Sequence, residues 1–390
     1  MFVPIQDKRR AVIDWDFDER QIMGHLGTDI CFWDVSSGKL LHKVPTSPTE
    51  RGFEREDYAF QWNDLSPNGL QGVTSFYTGP ESEESLPRQE PSCLIWDTVK
   101  GLKVCALSRQ THAVYSPDGK LLATFVKRGT GPSPYDAQIF DASTLKVLGH
   151  FMLGTLPERS SLQFSPSNKF ILWTMTVPGL DLYECPSGSK VTGTQLSVSA
   201  PPSYSRFING DDQIAAVSMK GDISLWQNKQ APAKKLDFQD RNVIEQYVTK
   251  DGLKALAIGP GLVQLRNLHD GQVFQAQVPF SYTTPHRGNS YSNLLVSPTD
   301  QTCALYQENT INKTGTVTFF SMTDLTQLGQ VDVGGARAPI GFSRDGRVFL
   351  VGGPECSAYD ASSGKLIRIF TLEGFKEGRT ASIVAGRFRT

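Results

Sequence analysis

The chain is predicted to be all-β, a closed propeller of four-stranded antiparallel blades, eight in number with seven as the alternative count. Three observations predict this. A Ser-Pro-Asp-Gly-like turn recurs along the 390 residues, and a strand ending in an aromatic–acidic pair recurs in step with it. The 35 Gly and 23 Pro suit many short strands joined by tight turns better than long helices.

The first fragment is an apolar or aromatic residue, a turn, then an apolar strand. It reads Leu65-Ser66-Pro67-Asn68-Gly69, Tyr115-Ser116-Pro117-Asp118-Gly119-Lys120 and Phe164-Ser165-Pro166-Ser167-Asn168. Later copies are Val248-Thr249-Lys250-Asp251-Gly252, Val296-Ser297-Pro298-Thr299-Asp300 and Phe342-Ser343-Arg344-Asp345-Gly346. Weaker copies lie at Asp16-Phe17-Asp18-Glu19 and Phe207-Ile208-Asn209-Gly210. Proline presets φ for a turn, and Asn, Asp and Gly tolerate its left-handed position.

The second fragment ends at Trp33-Asp34, Trp96-Asp97, Phe140-Asp141, Tyr183-Glu184 and Tyr359-Asp360, with degenerate copies at Trp226-Gln227, Arg266-Asn267 and Phe320-Ser321. Successive copies are 63, 44, 43, 43, 40, 54 and 39 residues apart. Most of these fall near the ~40–45 residues of one four-stranded propeller blade. Within the third period the strand-like runs are His112 to Tyr115, Leu121 to Val126, Ala137 to Asp141 and Lys146 to His150. A four-stranded meander has two edges and cannot cover both faces alone, whereas radial packing buries each sheet on its neighbours. The expected unit is one domain over 1–372, with blades starting near Ala11, Phe60, His112, Ser160, Tyr204, Asn242, Tyr291 and Ala338. The tail 373–390 holds a strand-like run, Thr380 to Phe388, read either as a closing strand or as an unstructured end.

These repeats resemble the WD40-repeat family of β-propellers over residues 11–372. Trp33-Asp34, Trp96-Asp97 and the Ser-Pro-Asp-Gly-Lys turn at 116–120 carry the likeness. The chain departs from that family in lacking the Gly-His near each blade's start and in keeping literal Trp-Asp in two copies. The His–Asp–Trp–Ser/Thr hydrogen-bond set that the resemblance implies therefore cannot form in most blades. Trp33, Asp34, Trp96, Asp97, Phe140, Asp141, Tyr359 and Asp360 are read as structural repeat positions.

Composition limits the function. The 39 basic and 40 acidic residues leave a net charge of −1, which argues against a generic nucleic-acid or membrane-surface binder. Cys31, Cys93, Cys105, Cys185, Cys303 and Cys356 form no CxxC pair and read as free thiols in strands. No run reaches the ~18 apolar residues of a membrane span, and no signal peptide is seen at the N-terminus, so a reducing cytoplasmic location is expected. There is no GxSxG elbow, P-loop, HExxH or EF-hand loop. The six histidines lack paired ligand spacing, and Asp14, Asp16, Asp18 and Glu19 read as a solvated strand and turn. No metal, cofactor or catalytic residue is expected.

In a meander a–b–c–d, the a–b and c–d turns emerge on one face and the b–c and d–a connections on the other. The long insertions fall in the second class, at Pro45–Asp57, Thr78–Ser92, Lys127–Asp136, Pro279–Ser290 and around Gln307–Gly315. Loops on a rigid scaffold commonly carry binding residues. The expected contacts are Phe53, Arg55, Arg88, Lys127, Arg128, Tyr135, Tyr282, His286 and Arg287, because arginine and aromatic side chains dominate interface energetics. The resulting expectation is a non-catalytic scaffold for another protein or peptide, as a subunit of a larger complex. The alternative is a propeller enzyme acting at the central channel, either quinoprotein-like or a metal-dependent lactonase-like hydrolase.

Overall fold

In the computed structural model the described residues are 12–15, 21–26, 29–34, 36–44, 59–77, 92–127, 134–155, 161–174, 179–191, 196, 198, 202–218, 222–227, 234–236, 245–259, 261–278, 290–309, 314–334, 338–343, 345–352, 355–371 and 384–385. Among them there is no helix, and the strands assemble into eight separate sheets. Sheets 1 to 8 run over 12–44, 59–108, 110–155, 161–184, 202–236, 245–277, 290–332 and 338–370. Within each, strands pair antiparallel in chain order a–b–c–d. Sheet 4 differs: among the described residues beyond its third strand there are two bridges, Lys190 with Tyr183 and Leu196 with Leu180.

The turn chemistry builds the a–b hairpins as the residues require. Ser66, Ser116, Ser165, Thr249, Ser297 and Ser343 each use the side-chain oxygen to accept a backbone N–H four or five residues on, as in Leu121 N to Ser116 Oγ at 2.9 Å. The fourth turn residue sits at positive φ in every copy, at Gly69, Gly119, Asn168, Gly252, Asp300 and Gly346. Where glycine is absent the chain uses Asn168 (φ 63°) and Asp300 (φ 55°), the residue types that tolerate this region best.

The aromatic residue of each aromatic–acidic pair joins the core shared with the preceding sheet. Trp96 packs with Phe32 and Val44 of sheet 1, and Phe140 with Val73 and Ile95 of sheet 2. Tyr183, Trp226, Phe320 and Tyr359 likewise join clusters containing residues of sheets 3, 4, 6 and 7. Trp33 packs with Ile340, Leu350, Cys356 and Phe370, which belong to the last sheet. In five sheets the pairing of strands c and d shifts register at the step into this aromatic: Phe32/Trp33, Ile95/Trp96, Ile139/Phe140, Phe319/Phe320 and Ala358/Tyr359. Such a bulge increases local twist and re-aims a side chain.

First strands of several neighbouring sheets lie against one another, including sheet 8 against sheet 1, while among the described residues the last strands pair on one side only. The tail adds to sheet 1: Val384–Ala385 pairs parallel with the first strand, Val12 with Val384 and Ile13 with Ala385. Two connections are shorter than the sequence predicts. Strand pairing continues to Lys127 with Tyr135, and to Asn309 with Thr314, so both ladders run into the expected loops. β-branched and aromatic residues (Val126, Tyr135, Thr314, Thr316) favour that extension, and Pro134 is tolerated as the first residue of its strand. The third sheet's last strand is longer than expected, Val147–Thr155.

Candidate interaction site

The two ends of the sheets differ in how they are built. At the a–b and c–d end most of the described turns are tight and internally bonded. Asp34 Oδ1 accepts from the hydroxyls of Ser36 (2.5 Å) and Ser37 (2.6 Å) and from the Ser37 amide (2.7 Å). Asp360 Oδ1 does the same with the hydroxyls of Ser362 and Ser363, both at 2.7 Å. Asp97 caps its turn through the amides of Lys100 (2.8 Å) and Val99 (3.1 Å). These bonds favour the ionised form. The Ser36 hydroxyl foremost lowers the Asp34 carboxyl, and the Ser143 hydroxyl with the Thr144 amide holds Asp141 at about 2.

These c–d turns also press on the outer strand of the preceding sheet. A Cβ on Gly188 would lie 2.6 Å from the His150 carbonyl oxygen, and one on Gly101 2.6 Å from His42 Cβ. On Gly38 of sheet 1 it would lie 2.4 Å from the carbonyl oxygen of Thr371, just past the last strand of sheet 8.

Nearer the inner edge, the first strands and a–b turns of neighbouring sheets are bonded together. Tyr115 N donates to Asp64 Oδ2 (3.0 Å), and Lys250 N donates to Asp300 Oδ2 (2.5 Å). Arg206 is 2% exposed; its Nη1 donates to the Tyr247 hydroxyl and to the Val248 carbonyl (3.1 Å), and its guanidinium lies 5.0 Å from the Tyr247 ring centre. The Tyr247 hydroxyl then donates to Asp300 Oδ1 at 2.7 Å, so one chain of contacts ties sheets 5, 6 and 7 together. Sequence reading missed this network; its signal is a lone arginine in a first strand, Pro202–Ile208.

The opposite end carries the long connections, which leave from Val44, Tyr77, Lys127 and Gln277 and return at Ala59, Ser92, Pro134 and Ser290. Of the expected contacts, Phe53, Arg55, Arg88, Arg128, Tyr282, His286 and Arg287 lie outside the described residues. Lys127 and Tyr135 are register partners at the mouth of one connection, with Tyr135 half-buried.

Elsewhere, a cleft of about 590 Å³ lies between sheet 4 and the outer strand of sheet 3, lined by Met152, Trp173, Asp181, Tyr183 and Lys190. Phe151 stacks on Tyr183 at 3.9 Å, and Lys190 Nζ meets Asp181 Oδ1 at 2.8 Å. Burial pushes the Cys185 and Cys303 thiols up to about 12, so neither is a ready nucleophile near neutral pH. Among the described residues no three His, Cys, Asp or Glu side chains converge as metal ligands, and no helix is long and apolar enough to cross a membrane.

No family model matches the chain. Among solved structures, the C-terminal WD40 domain of Sif2 is similar over 96% of this chain and 100% of that one, at a TM-score of 0.62 and 12% identity. The chain has the fold of WD40 β-propellers. A structure described as the eukaryotic initiation factor matches this WD40-like chain over 95% of it and 89% of that protein, at a TM-score of 0.60 and 14% identity. Dihydro-heme d1 dehydrogenase NirN matches over 85% and 68%, at 0.56 and 12%. By sequence, autophagy-related protein 18 of Debaryomyces hansenii is 27% identical over 175 residues, 38% of this chain. That stretch spans 30% of the relative's own length.

Proposed function

We propose that this WD40-like chain is a non-catalytic interaction scaffold. In this reading it is a closed ring of eight blades that binds a protein or peptide partner across the face bearing the b–c and d–a connections. The carrying observation is the asymmetry between the two ends of the sheets. One end is made of short turns whose polar groups are already spent on capping and on contacts with the neighbouring sheet. The other carries the longest connections between described strands, 45–58 and 78–91 among them. Phe53, Arg55, Arg88, Lys127, Arg128, Tyr135, Tyr282, His286 and Arg287 are the proposed contacts, and the partner places the chain as a subunit of a larger complex. The likeness to a WD40 domain supports the scaffold reading at the level of the fold.

The test is a pull-down comparing the intact chain with one whose residues 279–290 are replaced by a Gly-Ser linker, alongside Ala variants of Arg55, Arg128, Tyr282 and Arg287. Folding stability should stay within about ±0.5 kcal/mol for each point variant. Affinity for the captured partner should fall by about 1 kcal/mol or more for at least one. Loss of binding from Lys120→Ala or Arg347→Ala on the short-turn face, with the four unaffected, would contradict the proposal. The likeness to NirN keeps a second reading in view, an enzyme acting at the central channel. Elemental analysis and an absorption spectrum of the purified protein separate the two, since a stoichiometric metal or a chromophore favours the enzyme.

A further inference from the structure

The outermost strands of the sheets differ in what they expose. Sheet 8 ends on Leu366–Phe370, which pairs with Cys356–Asp360 on one side and has no strand on the other among the described residues. Its burial pattern is exposed at four consecutive positions, with Leu366, Ile367 and Ile369 at 51%, 55% and 49%. An exposed apolar edge is a template for another strand, and proteins usually blunt such edges. The outer strand of sheet 7, Gln327–Asp332, is blunted in that way, with the sequence QLGQVD.

The exposed edge also has a sign. Lys365 and Arg368 stand exposed among its apolar residues. The outer strands of the next two sheets, Leu40–Val44 (LLHKV) and Leu102–Ser108 (LKVCALS), share that apolar and basic character, and none of the three contains a carboxylate. A second copy of the chain paired edge to edge would set one basic strand against another, and like charges directly opposite destabilise a strand pair. We propose that the outer strand of sheet 8 is a strand-addition site for an extended partner segment that alternates apolar and acidic residues. Main-chain hydrogen bonds along the open edge supply affinity in this mode, and alternate side chains supply specificity. The site stands apart from the long-connection face and does not depend on it.

The test uses the full chain and a fluorescent synthetic peptide of alternating valine and glutamate, read by anisotropy. Two control peptides replace glutamate with lysine or N-methylate alternate backbone amides. The glutamate peptide should bind at least tenfold more tightly than either control. Ile367→Glu should weaken it tenfold or more, while Gln330→Glu on the outer strand of sheet 7 should leave it within twofold. Arg368→Glu, at an exposed position, should shift preference toward the lysine peptide, which keeps the test valid if Ile367→Glu fails to fold. Equal binding of all three peptides, indifference to both sheet 8 variants, or binding of phosphatidylserine vesicles without binding of the glutamate peptide would each overturn the proposal.

Discussion

Trp33 and Trp96 are buried almost completely, and each sits in a cluster shared by two sheets. Trp96 also donates its Nε1–H to Thr74 Oγ1 at 2.9 Å, a partial echo of the hydrogen-bond set that the WD40 resemblance implies. Truncating either to Ala should cost about 3–5 kcal/mol, the range for buried aromatics, measured by denaturant unfolding. Trp96→Phe should cost about 1 kcal/mol for this hydrogen bond on top of the packing it loses, the net worth of one such bond. The acidic partners act differently, by ordering turns. Because Asp141 is held at about 2, below the ~3.9 of an unfolded chain, its capping contribution is complete above the unfolded value and is lost as pH falls through that window. The melting-temperature gap between the parent and Asp141→Asn should therefore be constant above about pH 5 and close between about pH 4 and 2. A gap unchanged at pH 2 would show that the carboxylate does not cap the turn. These pairs are legible in the sequence because cap and turn lie within three residues of each other. The Arg206–Tyr247–Asp300 network is not, since its bonds span 41 and 53 residues and leave no local pattern.

Between residue and molecule, the blade is defined by how its c–d turn rests on the outer strand of its neighbour. Gly329 in the outer strand of sheet 7 faces the sheet 8 turn, where an added Cβ would come within 2.4 Å of the Ser363 carbonyl oxygen. Gly329→Ala should destabilise by about 1–3 kcal/mol, as overpacking does. Gly271, with φ of +77° and nothing within 4 Å, should cost only the roughly 1–2 kcal/mol of a left-handed non-glycine residue. Equal costs would mean that the two sheets do not press together there. First strands begin at 59, 110, 161, 245, 290 and 338, each directly preceding one of the repeated turns. Strand ends at two connections are not legible in the sequence, because pairing runs on through Asp136 to Tyr135 and through Asn309 to Thr314, and Asp and Asn are residue types that strands disfavour.

At the scale of the whole molecule, the eight sheets of the described residues share eight apolar clusters, and one of these contains residues of the first and last sheets. The parallel pairing of Val384–Ala385 with the first strand and the packing of Gly38 on Thr371 lie at the same seam. Ring closure cannot be read from the repeat alone, because an open arc and a closed ring would show the same turns and the same aromatic–acidic pairs. What the sequence does carry is a first copy whose Trp33 has no preceding sheet to pack on unless the last one comes round to it. The central claim is thus that sheet 8 and sheet 1 share one core. A double-mutant cycle of Trp33→Phe with Leu350→Val tests it, using Trp33→Phe with Leu256→Val in the distant sheet 6–7 core as control. A closed ring predicts a coupling energy of about 0.5–3 kcal/mol across the seam and additivity within about 0.5 kcal/mol for the control pair. Additive seam substitutions, each destabilising on its own, would contradict closure.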